Sequence, residues 1–152
     1  KLAEKEIELW IKLFDSWDIV DQCCQNLFWQ SKLCRKKIFE WAKSEEEFIR
    51  RTAFSLIAVM ASKDKEMKDD DFIKFFPLIK KYSTDERNFV KKSVNWAIRQ
   101  IGKRNKKLNN EAIKLSQEIR EIGQKKNSKA AKWVASNALS ELMSAKYQAK
   151  LK

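Results

Sequence analysis

Glycine and proline are almost missing from this sequence, whose 152 residues include two glycines and one proline. Tight turns between strands depend on these residues, so an all-β or loop-rich fold is poorly supported. Lysine, glutamate, leucine, alanine and isoleucine are instead well represented, and they favour helices. We therefore expect an all-α fold. A chain of this length can bury one hydrophobic core without disulfide bonds or a structural metal ion. We expect residues 1–152 to form a single domain.

Apolar residues recur at helical spacing and mark amphipathic helices. The apolar positions from Phe48 to Met60 superpose on those from Phe89 to Ile101 after a shift of 41 residues, and the same shift leads on to 135–142. This period is typical of two-helix HEAT-type repeats, although any set of amphipathic helices could match by chance. We predict a HEAT-like (ARM/HEAT) helical-repeat solenoid, an α-α superhelix, with helices near 3–13, 16–28, 32–43, 45–61, 70–82, 86–104, 109–122 and 129–145.

Polar residues mark several of the predicted helix starts. Ser16 and Ser128 precede apolar-periodic stretches, and two Ser-x-x-Glu capping boxes are predicted, at 44–47 and 83–86. Pro77 falls inside an otherwise helical segment. Because proline has no backbone N–H, we expect it to bend or split that helix.

The sequence is strongly basic, with 33 Lys and Arg residues against 21 Asp and Glu residues and a formal net charge of +12. This excess favours a polyanionic partner such as nucleic acid. The alternative is a lysine-rich organism in which every protein surface is basic. No apolar run of about 18 residues and no leader pattern is present, so we expect neither a membrane span nor a signal peptide. The three cysteines do not suggest a framework of disulfide bonds, which favours a reduced, cytoplasmic compartment.

Histidine is absent from the sequence. Its absence removes the usual general base and the commonest metal ligand, so catalysis would use carboxylates, lysine, tyrosine or cysteine. The shortage of glycine also argues against a P-loop or a dinucleotide-binding fingerprint. We therefore expect no metal, no nucleotide and no other cofactor.

Trp17 and Asp21 lie four residues apart on the predicted second helix and so project from one face. An aromatic ring beside a carboxylate is a candidate catalytic pair. The alternative is a core tryptophan next to a solvent-exposed acid, or an acid that stabilises the helix N-terminus. Four other tryptophans fall on apolar stripes and are interpreted as core or inter-repeat packing: Trp10, Trp29, Trp41 and Trp133.

A basic stripe surrounds another tryptophan on the helix predicted near 86–104. Its members follow at three- or four-residue steps: Lys92, Trp96, Arg99 and Lys103. Basic residues interleaved with an aromatic ring are typical of a nucleic-acid surface. A solvated lysine-rich face with one half-buried tryptophan is the alternative.

Arg50 and Arg51 lie one turn into their helix, where the helix dipole does not favour a cation. Arg51 is the repeat equivalent of Lys92, so both side chains could line one face and hold phosphates. Alternatively, the two arginines are ordinary surface charges that pair with the acidic residues at 45–47.

Several strings together resemble one family, the DNA alkylation repair family of HEAT-like-repeat DNA glycosylases. They are DSWDIVDQCC at 15–24, FIRRTAFSLIA at 48–58, DERNFVKKSVNWAIRQIGKRN at 85–105 and AAKWVASNALSEL at 130–142. The similarity is collinear and covers essentially the whole chain. It implies paired helices around a concave DNA-binding surface. It also implies a further N-terminal helical segment that would precede the stretch seen here.

The resemblance also implies an activity, the metal-free release of purines made cationic by alkylation at N3 or N7. The family's active-site carboxylate falls on Asp21, its active-site tryptophans fall on Trp17 and Trp96, and its phosphate-contacting arginine falls on Arg51. The implied partner is duplex DNA that contains alkylated bases, bound by a monomer. Two alternatives are a non-enzymatic solenoid that binds nucleic acid or an acidic protein partner, and an interaction scaffold whose charge is incidental.

Overall fold

The computed structural model describes residues 3–151, and the regular structure in that range is entirely helical. A short 3-10 helix occupies Phe28–Gln30. The α-helices are Glu4–Lys12 (α1), Trp17–Asn26 (α2), Lys32–Lys43 (α3), Glu47–Lys63 (α4), Asp69–Ile73 (α5), Phe76–Tyr82 (α6), Asn88–Gly102 (α7), Lys106–Lys126 (α8), Lys129–Leu142 (α9) and Ala145–Gln148 (α10).

The helices form two layers. α2, α4, α7 and α9 pack side by side in chain order, and α3, α6 and α8 pack behind them. Hydrogen bonds between neighbouring helices of the first layer join residues 38, 39 and 42 apart, in agreement with the 41-residue shift. The predicted all-α helical-repeat solenoid is confirmed. We call the side of the first layer that faces away from α3, α6 and α8 the open face.

α4 is the centre of the core. Its residues from Arg50 to Ala61 are all buried, because α2 and α7 flank the helix and α3 packs behind it. A single apolar stripe therefore underestimates how much of α4 is enclosed. The core continues as one cluster from Ile7 in α1 to Leu142 in α9.

The predicted helix at 70–82 is two helices, as Pro77 suggested. α5 ends at Ile73, and Pro77 lies in the first turn of α6. In that turn a backbone N–H has no partner within the helix, so its loss costs little.

Both predicted capping boxes are wrong. Ser44 ends α3, and its Oγ accepts a hydrogen bond from the Glu46 backbone N–H at 3.1 Å. Ser83 ends α6, and its Oγ donates to the Lys80 carbonyl at 2.7 Å. Each serine thus closes the preceding helix instead of opening the next one. Ser16 and Ser128 do cap α2 and α9, as predicted.

None of the helices within residues 3–151 combines the length and the apolar character needed to cross a membrane.

Candidate active site

A carboxylate is held at the boundary between α2 and α4. Asp21 Oδ2 accepts a hydrogen bond from Arg51 Nη2 at 2.9 Å. Asp21 Oδ1 accepts from the same Nη2 at 3.2 Å, from Arg51 Nε at 3.3 Å and from Ser55 Oγ at 3.3 Å. A carboxylate oxygen has about two lone-pair sites. Oδ1 is therefore saturated, whereas Oδ2 can accept one more hydrogen bond or face a cation.

The same guanidinium reaches a third helix. Arg51 Nη1 donates to the Phe89 carbonyl in the first turn of α7 at 2.7 Å. The Arg51 side chain is 8% exposed and that of Asp21 is 15% exposed. Arg51 therefore fixes Asp21 between three adjacent helices of the first layer, a role that differs from the predicted phosphate contact.

Trp17 and Trp96 lie on the two helices that border α4. Trp17 begins α2, one helical turn before Asp21, and is 48% exposed. Trp96 is half-buried on α7, and α4 lies between α2 and α7. Two inter-axial spacings separate the axes of α2 and α7, roughly 16–20 Å. Trp17 and Asp21 are therefore neighbours on one helix, whereas Trp96 belongs to a helix two positions away in the layer.

Arg50 points away from this site. It is buried, its Nε donates to the Ala42 carbonyl at 2.8 Å, and its Nη1 lies 2.7 Å from Asp85 Oδ2. Its guanidinium carbon also lies 4.3 Å from the centre of the Tyr82 ring. Arg50 therefore joins α4 to the α3 C-terminus and to the turn before α7, and we do not retain it among the DNA-contacting residues.

The basic stripe on α7 lies on one face of the helix. Its three cations differ in whether an acidic side chain of the protein already pairs with them. Lys92 is exposed. Glu141 of α9 forms ion pairs with both Arg99, at 3.0 Å, and Lys103. Burial raises the pKa of Glu141, but the hydrogen bonds from Lys103 and Arg99 outweigh it and lower the pKa below its ordinary value. Two of the three cations thus share an intramolecular counter-charge.

The structure narrows one tryptophan assignment. Trp133 of α9 is 37% exposed and Lys91 of α7 lies with its Nζ 5.3 Å from the ring centre, so Trp133 packs between repeats and is not a core residue. Trp41 is buried, and Trp10 and Trp29 are partly buried against the core, as predicted.

The sequence analysis missed Ser55 and Glu141. Ser55 follows Arg51 by four residues, so helical spacing alone placed its hydroxyl on the same face. Glu141 belongs to another repeat and carries no local signal. Its partners Arg99 and Lys103 are 42 and 38 residues earlier, close to one repeat period.

Within residues 3–151 no group of three or more His, Cys, Asp or Glu side chains is arranged to hold a metal ion. Burial raises the pKa of the Cys24 thiol well above its ordinary value, so this thiol is protonated at neutral pH.

A protein-family model described as DNA alkylation repair enzyme matches residues 1–142. The chain has no significant match among curated proteins or among solved structures. The matched region includes all four helices of the first layer and every candidate residue discussed above.

Proposed function

The chain belongs to the DNA alkylation repair enzyme family, and we propose that it is a DNA glycosylase that releases purines alkylated at N3 or N7 from duplex DNA. The observation that carries the proposal is the Asp21 carboxylate, which Arg51 and Ser55 hold in place while 15% of its side chain stays exposed. Such a group suits the stabilisation of a positive charge that develops outside the protein.

The chemistry needs no general acid, because the alkylated purine already carries a positive charge. When the C1′–N bond breaks, its electron pair returns to the base, which leaves as a neutral molecule. Positive charge then develops on C1′ and the ring oxygen of the deoxyribose. Water attacks C1′, and its proton passes to the solvent, which completes hydrolysis.

Asp21 would act by electrostatics. A carboxylate near the oxocarbenium-like sugar stabilises the transition state more than the ground state, where the sugar carries little charge. Arg51 and Ser55 fix the carboxylate before DNA binds, so no reorganisation is needed during the reaction. Oδ2 would also orient the attacking water.

Trp17 and Trp96 would bind the lesion nucleotide and its neighbours through their π-faces, which attract electron-poor groups. Lys92 would contact phosphates on the open face, and Arg99 and Lys103 would do so in exchange for part of their contact with Glu141. A net charge of +12 would draw the duplex to this surface.

The test is release of free base from duplex DNA that contains N7-methylguanine, measured above spontaneous depurination. We expect release by the wild type and a loss on the order of 100-fold or more in Asp21→Asn. Asp18→Asn is the matched control, because Asp18 is an exposed acid on the same helix. Circular dichroism at the assay temperature should show both variants folded, and DNA affinity should stay unchanged, although Asp21→Asn lowers stability because it removes the counter-charge of buried Arg51. Full excision by Asp21→Asn would remove the carboxylate from the mechanism.

A second candidate is a solenoid that binds nucleic acid without releasing a base from it. The observation in its favour is that Arg51 already pairs with the Asp21 carboxylate. It predicts salt-sensitive DNA binding with no base release from the wild type. An acidic protein partner would instead compete with DNA for the same face.

A further inference from the structure

We propose that Trp133 of α9 and Lys91 of α7 form a second contact for duplex DNA, away from the lesion. The proposal rests on the proposed function only in taking DNA as the ligand. It concerns binding and assigns these residues no part in base release.

The repeat places Trp133 on the open face. Arg51, Lys92 and Trp133 follow one another at intervals of 41 residues, on α4, α7 and α9. The residues one and two turns after Trp133, Asn137 and Ser140, are exposed as well. The open face therefore continues onto α9.

Packing covers Trp133 only in part. A core tryptophan of this chain is nearly inaccessible, as Trp41 is, whereas Trp133 leaves 37% of its surface in solvent. Lys91 of α7 reaches across to it, with Nζ 5.3 Å from the ring centre. This cation–π contact fixes the ring and keeps an ammonium group beside it.

Lysines are concentrated around this pair and have no acidic partner. Within residues 3–151 the lysines in ion pairs are Lys37, Lys80, Lys103 and Lys114. Six lysines outside that set lie in the N-terminal halves of α7 and α9 and in the last turn of α8: Lys91, Lys92, Lys125, Lys126, Lys129 and Lys132. Of the six, Lys91 is the one shown against Trp133.

The nearby acid does not neutralise these lysines. Glu86 accepts hydrogen bonds from the Ala130 backbone N–H at 3.0 Å and from Ser128 Oγ at 2.8 Å, so its charge offsets the N-terminus of α9. Lys129 lies in the first turn of α9, where the helix dipole disfavours a cation, whereas the last turn of α8 favours Lys125 and Lys126. The excess of lysines without an acidic partner on these helices suits an external anion.

Duplex DNA fits this chemistry. Lys91 would contact a phosphate while the free part of the indole packs against the adjacent deoxyribose, a combination common at sequence-independent contacts. Three inter-axial spacings separate α2 from α9, roughly 24–30 Å. At about 3.4 Å per base step the contact falls about seven to nine steps from the nucleotide at Asp21.

The test compares two duplexes by fluorescence anisotropy. One carries about 12 base pairs on each side of a central N7-methylguanine, and the other carries about four. We expect the wild type to bind the long duplex more tightly. Trp133→Ala and Lys91→Gln should lose several-fold affinity for the long duplex and match the wild type on the short one.

Salt dependence separates the two residues. Lys91→Gln should reduce the slope of log affinity against log salt by about one on the long duplex, and Trp133→Ala should leave it unchanged. Lys36→Gln is the matched charge control, because Lys36 is exposed on α3, which packs behind the first layer. Its affinity and slope should follow the wild type.

Equal binding of the wild type and both variants to the long duplex would overturn the proposal. If Trp133→Ala does not fold, Lys91→Gln alone decides. The short duplex reports whether the remaining surface is intact. Failure of the proposed glycosylase activity would appear instead as no base release by the wild type, whatever the binding results.

Discussion

Arg51 donates hydrogen bonds to Asp21 from two of its nitrogens, with Nη2 at 2.9 Å from Oδ2 and Nε at 3.3 Å from Oδ1. Both side chains are largely buried, and the third nitrogen of the guanidinium binds the backbone of α7. The ion pair thus links three helices and also contains the candidate catalytic carboxylate. Stability and activity should respond differently to changes in it.

Arg51→Met should destabilise the fold by about 3–5 kcal/mol, because it leaves the Asp21 carboxylate largely buried without its counter-charge. The double variant Arg51→Met with Asp21→Asn should recover part of that loss. Urea unfolding followed by tryptophan fluorescence measures both. Strictly additive free energies for the two changes would show that the side chains are not coupled.

Asp85 should make stability depend on acid pH. Burial raises the pKa of Asp85, but hydrogen bonds from Arg87 and Arg50 outweigh it and lower the pKa below its ordinary value. A lowered pKa in the folded state adds stability above the unfolded pKa of about 4, and this stability is lost as the pH falls through the folded value.

Asp85→Asn should therefore cost about 3 kcal/mol at pH 7, since it leaves Arg50 buried without a carboxylate. The difference from the wild type should shrink below pH 4. Urea unfolding at a series of pH values tests this. Parallel curves for the two proteins between pH 7 and pH 3 would contradict the assignment.

The two glycines should differ in their tolerance of alanine. A Cβ on Gly123 would lie 2.9 Å from the backbone nitrogen of Lys132, so α8 and α9 would have to separate. A Cβ on Gly102 would meet the side chain of Leu142 at 2.6 Å, and a side chain can change rotamer. Each change also gains about 1 kcal/mol of helix propensity.

Gly123→Ala should thus destabilise the fold by about 1–3 kcal/mol, and Gly102→Ala by less. Thermal unfolding of the two variants side by side gives the comparison. The opposite order would show that the α8–α9 contact is looser than the one at the end of α7.

Helical periodicity was sufficient to predict relations within one helix, such as Trp17 with Asp21 and the face shared by Lys92 and Trp96. It did not predict which helix covers which. Arg50 and Arg51 are adjacent in sequence, yet one supports the turn before α7 and the other supports Asp21. That distinction depends on Asp85 and Phe89, which the fold brings from more than 30 residues away.

The same limit explains the errors about helix ends and the partial exposure of Trp133. Ser44 and Ser83 have the spacing of N-caps, but a serine between two helices can serve either one, and here both close the earlier helix. Periodicity alone did not distinguish a core role from an inter-repeat role for Trp133. Its ring is 37% exposed, and Lys91 of the neighbouring helix lies against it.

Trp96 offers the sharpest test of how the open face acts on DNA. If its ring stabilises positive charge on the sugar, Trp96→Ala should lower the single-turnover rate of base release by roughly 3- to 30-fold, the equivalent of about 0.6–2 kcal/mol. Trp96→Phe keeps a π-face and should retain most of the rate.

The comparison depends on separating chemistry from binding, so rates are measured with protein in excess and saturating. A ring that only holds the duplex would change the affinity and leave the saturated rate intact in both variants. A ring needed only for its volume would make alanine destabilise the fold, because Trp96 packs partly against the core. A lower saturated rate in Trp96→Ala, measured well below its melting temperature, with rescue by phenylalanine, is the result expected from a π-face that acts in the transition state.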